Sequence, residues 1–432
     1  MIKIGKPYIY DDGKYAYLKA KIEISEDTAS NYIAASKVIK KVHWRTTENY
    51  PPKEWEFDDS GLWFAVPMEY KQYLCSERSD AFVVAMLWYA MVTGSDVEVV
   101  APLSERLSFY TQKFLIPALC RRSYRRIKLL GPIISDSYTN IGAVGTGMSC
   151  GVDSFYTLQE YTKPNIPQKY RLTHLAYFNM GAIFHPNRAE KKKYTLKEFY
   201  ETTDRMSEEK RANAQEVANR SNMPLVYVKS NLDSDYYRGA YGHTGLYRNF
   251  AMALSLQGMF SVFLCSSAGW PDYFDLSLTE GSAHYESLLC NCLSTESLSF
   301  ILSDYTTRAE KTFAIADNTL AQKYLDVCFC FNSCGKCTKC RRTLVTLDLI
   351  DKVDLYNQIF DIDDFKEHRI DSYVWLLNTK DGNQYDDNAV FAKELYRIAM
   401  EKSKIPQEAI KIYKMQQRKK NLKKFVKGIC CK

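Results

Sequence analysis

The sequence predicts an α/β protein built on a parallel sheet, with an α+β region before it and a helical region after it. Three observations carry that expectation. From residue 136 to about 325, apolar strand-like runs alternate with helical patterns, the rhythm of a parallel sheet covered by helices. One junction, 144–158 (VGTGMSCGVDSFYTL), passes from a small apolar strand through a tight turn into a helix. Further on, five cysteines fall within 328–340 (CFCFNSCGKCTKC), far above the chain's average density.

The 432 residues predict two to three domains and a full hydrophobic core. Apolar residues make up 46% and charged residues 25%, which excludes wholesale disorder. The net charge of +7 permits a nucleotide or RNA partner without demanding one. Six histidines argue against a mechanism that needs several of them. The opening MIKIGKPYIY lacks a basic stretch followed by an apolar one, and no apolar run reaches bilayer length. These features lead us to expect a cytoplasmic protein with no membrane partner, whose 13 cysteines are mostly reduced, some of them holding metal.

Residues 1–135 form the expected α+β N-terminal domain. The run 15–24 (YAYLKAKIEI) alternates as a strand, and 62–70 is a second strand candidate. Residues 80–94 read as a helix with Gly94 as its C-cap, and 97–103 as a buried strand. A helix over 104–120 takes Ser104 as its N-cap. His43, Trp44 and Arg45 read as a surface or edge cluster, and the basic run 121–128 as a solvated helix face or an anion or RNA contact.

Residues 136–325 form the expected nucleotide-binding α/β domain. After the strand at 144, further strands fall at 173–181, 224–232 and 261–269, with a polar insertion followed by an amphipathic helix within 184–221 and a helix at 246–260. Ligands in such sheets sit beyond the carboxyl ends of the strands. The candidate walls are therefore 149–154, 178–181, 230–233 and 266–269, the last containing Ser267. In the turn at 149–154, backbone N–H groups and the helix's positive end converge on one spot, a ready phosphate cradle. Gly151 lets the backbone approach closely, Ser149 and Ser154 offer hydroxyls, and Asp153 suits Mg²⁺ or the turn itself. The segment 241–248 reads as a polar loop whose His243 is structural. Between 278 and 312, Arg308 and Lys311 share a helix face and suit a leaving pyrophosphate, and His284 is a weaker catalytic candidate.

Residues 326–350 form a cysteine knot. The C-x-x-C-x-x-C run of Cys334, Cys337 and Cys340 needs one more thiolate, Cys328 or Cys330, for a closed tetrahedral Zn²⁺ site. An iron–sulfur cluster or redox-active thiols are the rival readings. Residues 351–432 read as a helical region ending in a strongly basic tail, a solvated helix or an RNA contact, with Cys430 and Cys431 exposed.

The run Ser149-Cys150-Gly151-Val152-Asp153-Ser154 resembles the SGGxDS signature of the PP-loop ATP pyrophosphatases, the adenine nucleotide α-hydrolase-like superfamily. Cys150 stands where that signature has its first glycine, and if the position needs φ > 0 it carries strain. Together with the cysteine knot, the chain resembles the 7-cyano-7-deazaguanine synthase-like branch over about 140–350. The resemblance implies a Rossmann-like, HUP-type domain and a zinc-stabilised C-terminal part. It assigns ATP phosphates to Ser149, Gly151, Asp153 and Ser154, with Cys150 and Val152 in the same loop. It sets the adenine near Phe178 and Asn179. It assigns zinc to Cys328, Cys334, Cys337 and Cys340.

The implied activity is an AMP- and pyrophosphate-forming ligase using ATP and Mg²⁺. It adenylates an oxygen of a small-molecule or modified-nucleobase-type substrate, and a nitrogen or sulfur nucleophile then displaces AMP. A thiolation enzyme carrying persulfide on Cys150 or Cys265 is an alternative, as is a non-catalytic nucleotide- or RNA-binding module. A protein acceptor and a homo-oligomer complete the expectation.

Overall fold

The computed structural model describes residues 1–31, 61–120, 124–183, 195–237, 241–267, 274–276, 281–328, 333–382 and 387–430. By its internal contacts the chain forms two units. One comprises Met1–Ser149 and Thr157–Thr306, the other Cys150–Tyr156 and Thr307–Lys432.

The first unit is α/β with mixed sheets. Strands β1 (Ile2–Ile4), β2 (Tyr8–Asp11), β3 (Tyr15–Ala20), β4 (Ile22–Ile24) and β5 (Leu62–Pro67) precede helix α1 (Asp80–Thr93). Strands β6 (Val97–Val99) and β7 (Leu103–Ser104) lead to helix α2 (Glu105–Tyr110), and β8 (Leu129–Leu130) and β9 (Ile133–Ile134) follow. The alternation then runs β10 (Ala143–Gly147), α3 (Val152–Tyr161, of which Val152–Tyr156 belong to the second unit), β11 (His174–Asn179), α4 (Leu196–Arg220), β12 (Leu225–Ser230), α5 (Tyr241–Ser255), β13 (Phe260–Cys265), α6 (Glu286–Leu293) and β14 (Ser299–Leu302).

Among the described residues the large sheet has the order β14-β13-β10-β11-β12-β5-β3-β2. Its first five strands are parallel, and β5, β3 and β2 add on antiparallel. Counted from β10, the parallel strands stand third, second, first, fourth, fifth across the sheet from β12. The winding therefore reverses beside β10. A smaller sheet has the order β4-β1-β6-β8.

The boundary expected near residue 135 does not fall there, because β12 hydrogen-bonds β5 through Lys229–Ala65 and Ser230–Phe64. The single strand expected at 15–24 breaks at Lys21, sending β3 and β4 into different sheets. β14 is a fifth parallel strand that the sequence pattern did not disclose. Segment 241–248 opens α5 rather than forming a loop. Residues 124–128 are not helical, so the basic run there is no helix face. The His43–Trp44–Arg45 cluster lies outside the described residues.

Helix α1 is apolar all round and almost wholly buried, as a helix packed on several sides must be. It ends at Gly94, whose φ of 72° supplies the left-handed cap. It packs along α5, and Phe82 meets Phe64 of β5 edge-on. Its first residue, Asp80, is fully buried and accepts from the Ser104 N–H at 2.9 Å, the Ser104 hydroxyl at 2.6 Å and Gln257 at 3.0 Å. The Ser104 side chain thus serves Asp80 and does not cap α2.

The second unit is helical. Helices α7 (Arg308–Ala314), α8 (Thr338–Asp348), α9 (Arg369–Thr379), α10 (Asp387–Glu401) and α11 (Gln407–Cys430) supply most of it. One core joins Ala309, Val345, Leu349, Tyr373, Leu376, Leu395 and Ala409. The cysteine knot and the tail, expected as separate pieces, therefore share one core with 307–325. No described helix is long and apolar enough to cross a membrane.

Candidate functional site

The turn after β10 is shaped by small residues. Gly147 ends the strand with open space where a Cβ would stand. The Met148 N–H donates to Ala176 O at 2.8 Å, carrying the pairing with β11 one step beyond the strand. Ser149 is exposed. Cys150 is buried with φ of 57°, the left-handed conformation in which a residue standing in place of a glycine carries strain. A left-handed non-glycine residue costs on the order of 1–2 kcal/mol.

Val152 is buried and offers only backbone. The Ser154 hydroxyl donates to Gly151 O at 2.9 Å. That bond engages the proton expected for a phosphate and leaves lone pairs.

Asp153 lies in the first turn of α3. Its Oδ2 is 2.6 Å from Arg308 Nη2 and its Oδ1 is 3.7 Å from Lys311 Nζ. Lys311 is 1% exposed, and its ammonium stands 5.6 Å from the centre of the Tyr156 ring. Among the described residues, Asp153 Oδ1 and Arg308 Nε are buried without a hydrogen-bond partner. The two cations that spacing alone put on one helix face thus meet the loop's only carboxylate.

Two further cations belong to this cluster. Burial holds Lys339 down to about 8, and repulsion from Arg308 and Arg342 adds to it against the pull of Asp153 and Asp326. Arg308 and Arg342 both address the ring of Phe391, at 5.7 and 4.2 Å. Neither Lys339 nor Arg342 was legible as a site residue. The available signal was their i, i+3 spacing on a helix that begins inside the cysteine motif.

Cys328, Cys334, Cys337 and Cys340 bring their sulfurs within 4.8 Å of one another. Ligands at about 2.3 Å in a tetrahedron stand about 3.8 Å apart, so the set can hold a metal ion such as zinc. Gly335 and Ser333 turn the chain with φ of 64° and 48°. The Cys334, Cys337 and Cys340 amides donate to Cys328, Cys334 and Cys337 sulfur at 3.3–3.5 Å. Such N–H···S contacts orient and stabilise thiolate ligands. Hydrogen bonding of the Cys340 thiol with Cys328 and Cys337, then burial, pushes it far up. A cation is what would relieve that crowding of sulfur. Cys330 lies outside the described residues.

The remaining expected residues belong to the first unit. Phe178 is buried and stacks on Phe263 with ring centres 5.5 Å apart, so only its backbone is available to a ligand. Asn179 donates to Asp204 at 3.3 Å and lines a cavity of about 370 Å³ with Tyr15, Trp63, Tyr200 and Lys229. Ser267 donates to Glu286 Oε1 at 2.7 Å, both groups being buried. His284 is buried in the turn Ser282–Tyr285. His243 lies buried in α5, its ring 5.6 Å from that of Trp88, which suits a packing role. Burial first, then Cys290, pushes the Cys265 thiol well up, away from reactive thiolate character.

A buried ion pair not foreseen in the sequence stands at the end of β11. Arg248 Nη1 is 2.6 Å from Asp233 Oδ1 and donates to Met180 O at 2.6 Å. Gly181 has φ of 79°, and a Cβ there would meet Asp233 Cγ at 2.3 Å and Arg248 Nη1 at 2.6 Å. Compared with family models, with curated proteins and with solved structures, the chain matches none.

Proposed function

We propose that the chain is an ATP-dependent, AMP- and pyrophosphate-forming ligase with a Rossmann-like PP-loop domain of the 7-cyano-7-deazaguanine synthase-like kind. The observation that carries the reading is Asp153 in the first turn of a helix entered from a small-residue turn, met by Arg308 and buried Lys311. The reversal of winding beside β10 supports it, since nucleotides favour such crevices.

Mg²⁺ enters this reading with ATP, as part of the substrate. Asp153 already faces Arg308 at 2.6 Å, an arrangement that suits holding cations over a phosphate better than ligating Mg²⁺ directly. A carboxylate, amide or carbonyl oxygen of the substrate attacks the α-phosphorus. The bond from that phosphorus to the bridging oxygen breaks, and pyrophosphate departs against Arg308 and Lys311. A nitrogen or sulfur nucleophile then attacks the activated carbon and expels AMP. The protein supplies position and charge.

Zinc at the four cysteines is structural in this reading, because four thiolates leave no open position. The experiment is product analysis with ATP and a panel of candidate acceptors. The expected result is acceptor-dependent AMP and pyrophosphate, lost in Asp153→Ala and Ser154→Ala. Release of ADP and phosphate rejects the mechanism. ATP binding without turnover across the panel favours a non-catalytic nucleotide-binding module.

A further inference from the structure

The chain's excess of positive charge sits at its end, on helix α11 and the residues that follow it. Residues 409–432 hold nine Lys and Arg and no Asp or Glu, a charge of +9. The whole chain carries +7, so the 408 residues before them carry −2. A charge asymmetry of this kind marks a segment that meets a polyanion.

The first half of α11 is anchored along one side. Ala409 is buried, and Ile410, Ile412 and Tyr413 pack against the core that includes Tyr373 and Leu395. Gln416 accepts from Asn378 Nδ2 at 2.8 Å, and Gln417 donates to Asn378 Oδ1 at 3.2 Å. Lys411, Lys414 and Arg418 are exposed and follow one another at three and four residues, so they share the opposite face. From Arg418 to Leu422 every residue is exposed. Such a stretch exceeds one helical turn, so the helix there is open to solvent all round.

Folding gives no return for these cations. Among the described residues, Lys411, Lys414, Arg418, Lys419 and Lys420 form no salt bridge. Lys420 feels Asp381, but that carboxylate already bonds Lys380 and Tyr413. Like charges three or four residues apart destabilise a helix. The helix dipole rewards cations only in the last turn, and these five precede it.

We infer that α11 is a docking surface for duplex DNA, which it meets through the backbone phosphates without selecting sequence. A helix about 10–12 Å across fits the major groove of B-form DNA, about 12 Å wide. The major groove of duplex RNA is too narrow for it. A bilayer is the poorer partner, because the core already takes Ile410, Ile412 and Tyr413, the apolar residues that a surface helix would insert. The inference is independent of the ligase reading, since none of its residues belongs to the loop at 149–154 or faces Asp153.

The test is fluorescence anisotropy of the full-length protein with a labelled DNA duplex of about 20 base pairs, from about 50 to 200 mM salt. Log affinity falls against log salt with a slope of about −4 or steeper, the share of five phosphate contacts. Arg418→Gln, Lys419→Gln and Lys420→Gln combined weaken binding at least about tenfold and make the slope shallower by about 2–3. Arg418→Lys, Lys419→Arg and Lys420→Arg combined keep both. Lys352→Gln, Lys366→Gln and Lys404→Gln combined remove the same charge from surface lysines of the same unit, each paired with an aspartate, and leave binding unchanged. Where the tail triple loses helix content by circular dichroism, Lys411→Gln with Lys414→Gln in the anchored half decides, with a weakening of about tenfold expected.

Absence of duplex binding overturns the inference, as does full affinity in the well-folded glutamine variants of α11. So does an equal loss in the Lys352, Lys366 and Lys404 triple, which would make net charge alone responsible. Binding of an RNA duplex of the same sequence as tightly as DNA overturns the choice of partner. Uptake by vesicles of phosphatidylcholine and phosphatidylserine in preference to DNA overturns it in favour of a membrane surface.

Discussion

The Asp326 amide donates to the Cys150 carbonyl at 2.7 Å. Asp326 lies two residues before Cys328, so the chain entering the cysteine centre is pinned to the left-handed residue of the loop. That bond helps hold Cys150 at a φ of 57°, where a cysteine is strained.

Cys150→Gly therefore changes stability little. Relief of about 1 kcal/mol of backbone strain is offset by a similar loss of buried side chain and by a floppier unfolded chain. Cys150→Val, β-branched at the same φ, costs about 2 kcal/mol or more. Urea denaturation of the two variants decides. Equal stability of valine and glycine at 150 would show that the left-handed turn is not maintained in solution.

Removing one partner of the buried Arg248–Asp233 pair strands the other charge. Arg248→Met is expected to cost about 3–5 kcal/mol. Gly181→Ala is also strongly destabilising, because its Cβ would stand 2.3 Å from Asp233 Cγ. A thermal melt of Gly181→Ala matching the parent protein would mean that the pair is displaced from Gly181.

Zinc content measured by atomic emission should be one ion per chain, falling to none in Cys334→Ser and Cys340→Ser. Hydrogen exchange in those variants, or after chelation, should quicken over 338–348, because α8 loses its anchored first turn. Full zinc occupancy in Cys328→Ser would move the fourth ligand elsewhere.

Asp80 predicts a pH dependence. Burial raises its carboxyl above the ordinary 3.8, against the lowering contacts of Ser104, Gln257 and Arg78. The folded state therefore binds this proton more readily than the unfolded state. The contribution to stability is complete below the unfolded value and is lost as pH rises through the folded value. Asp80→Asn lacks that dependence and keeps an oxygen for the Ser104 amide. Its stability relative to the parent should improve steadily from acid toward neutral pH in urea titrations. A constant difference would show that Asp80 keeps its ordinary acidity.

The sequence disclosed those parts whose cause is local. Helix α1 and its Gly94 cap, four of the five parallel strands and the clustering of four cysteines all follow from periodicity, a turn residue or short spacing. The extension of the sheet by β5, β3 and β2 was not legible, because Lys229–Ala65 pairing joins residues with no shared local pattern. β14 was missed because Ser299–Leu302 is short and follows a polar stretch. At the candidate site, Arg308 and Lys311 were readable from helical spacing. Lys339 and Arg342 were not, since their nearness to Arg308 depends on α8 packing against α7 through Val345, Leu349 and Ala309. Cys150 was marked as a departure from glycine, and its positive φ is the physical form of that departure.

The grouping of Cys150–Tyr156 with Thr307–Lys432 has a consequence for biosynthesis. A ribosome delivers Asp153 long before Arg308, Lys339 or the four sulfurs exist. The nascent chain thus carries the Asp153 carboxylate without Arg308 while residues 154–307 are made. A message cut short upstream of Arg308 yields a product whose strands can pair but whose loop never meets its counter-charges.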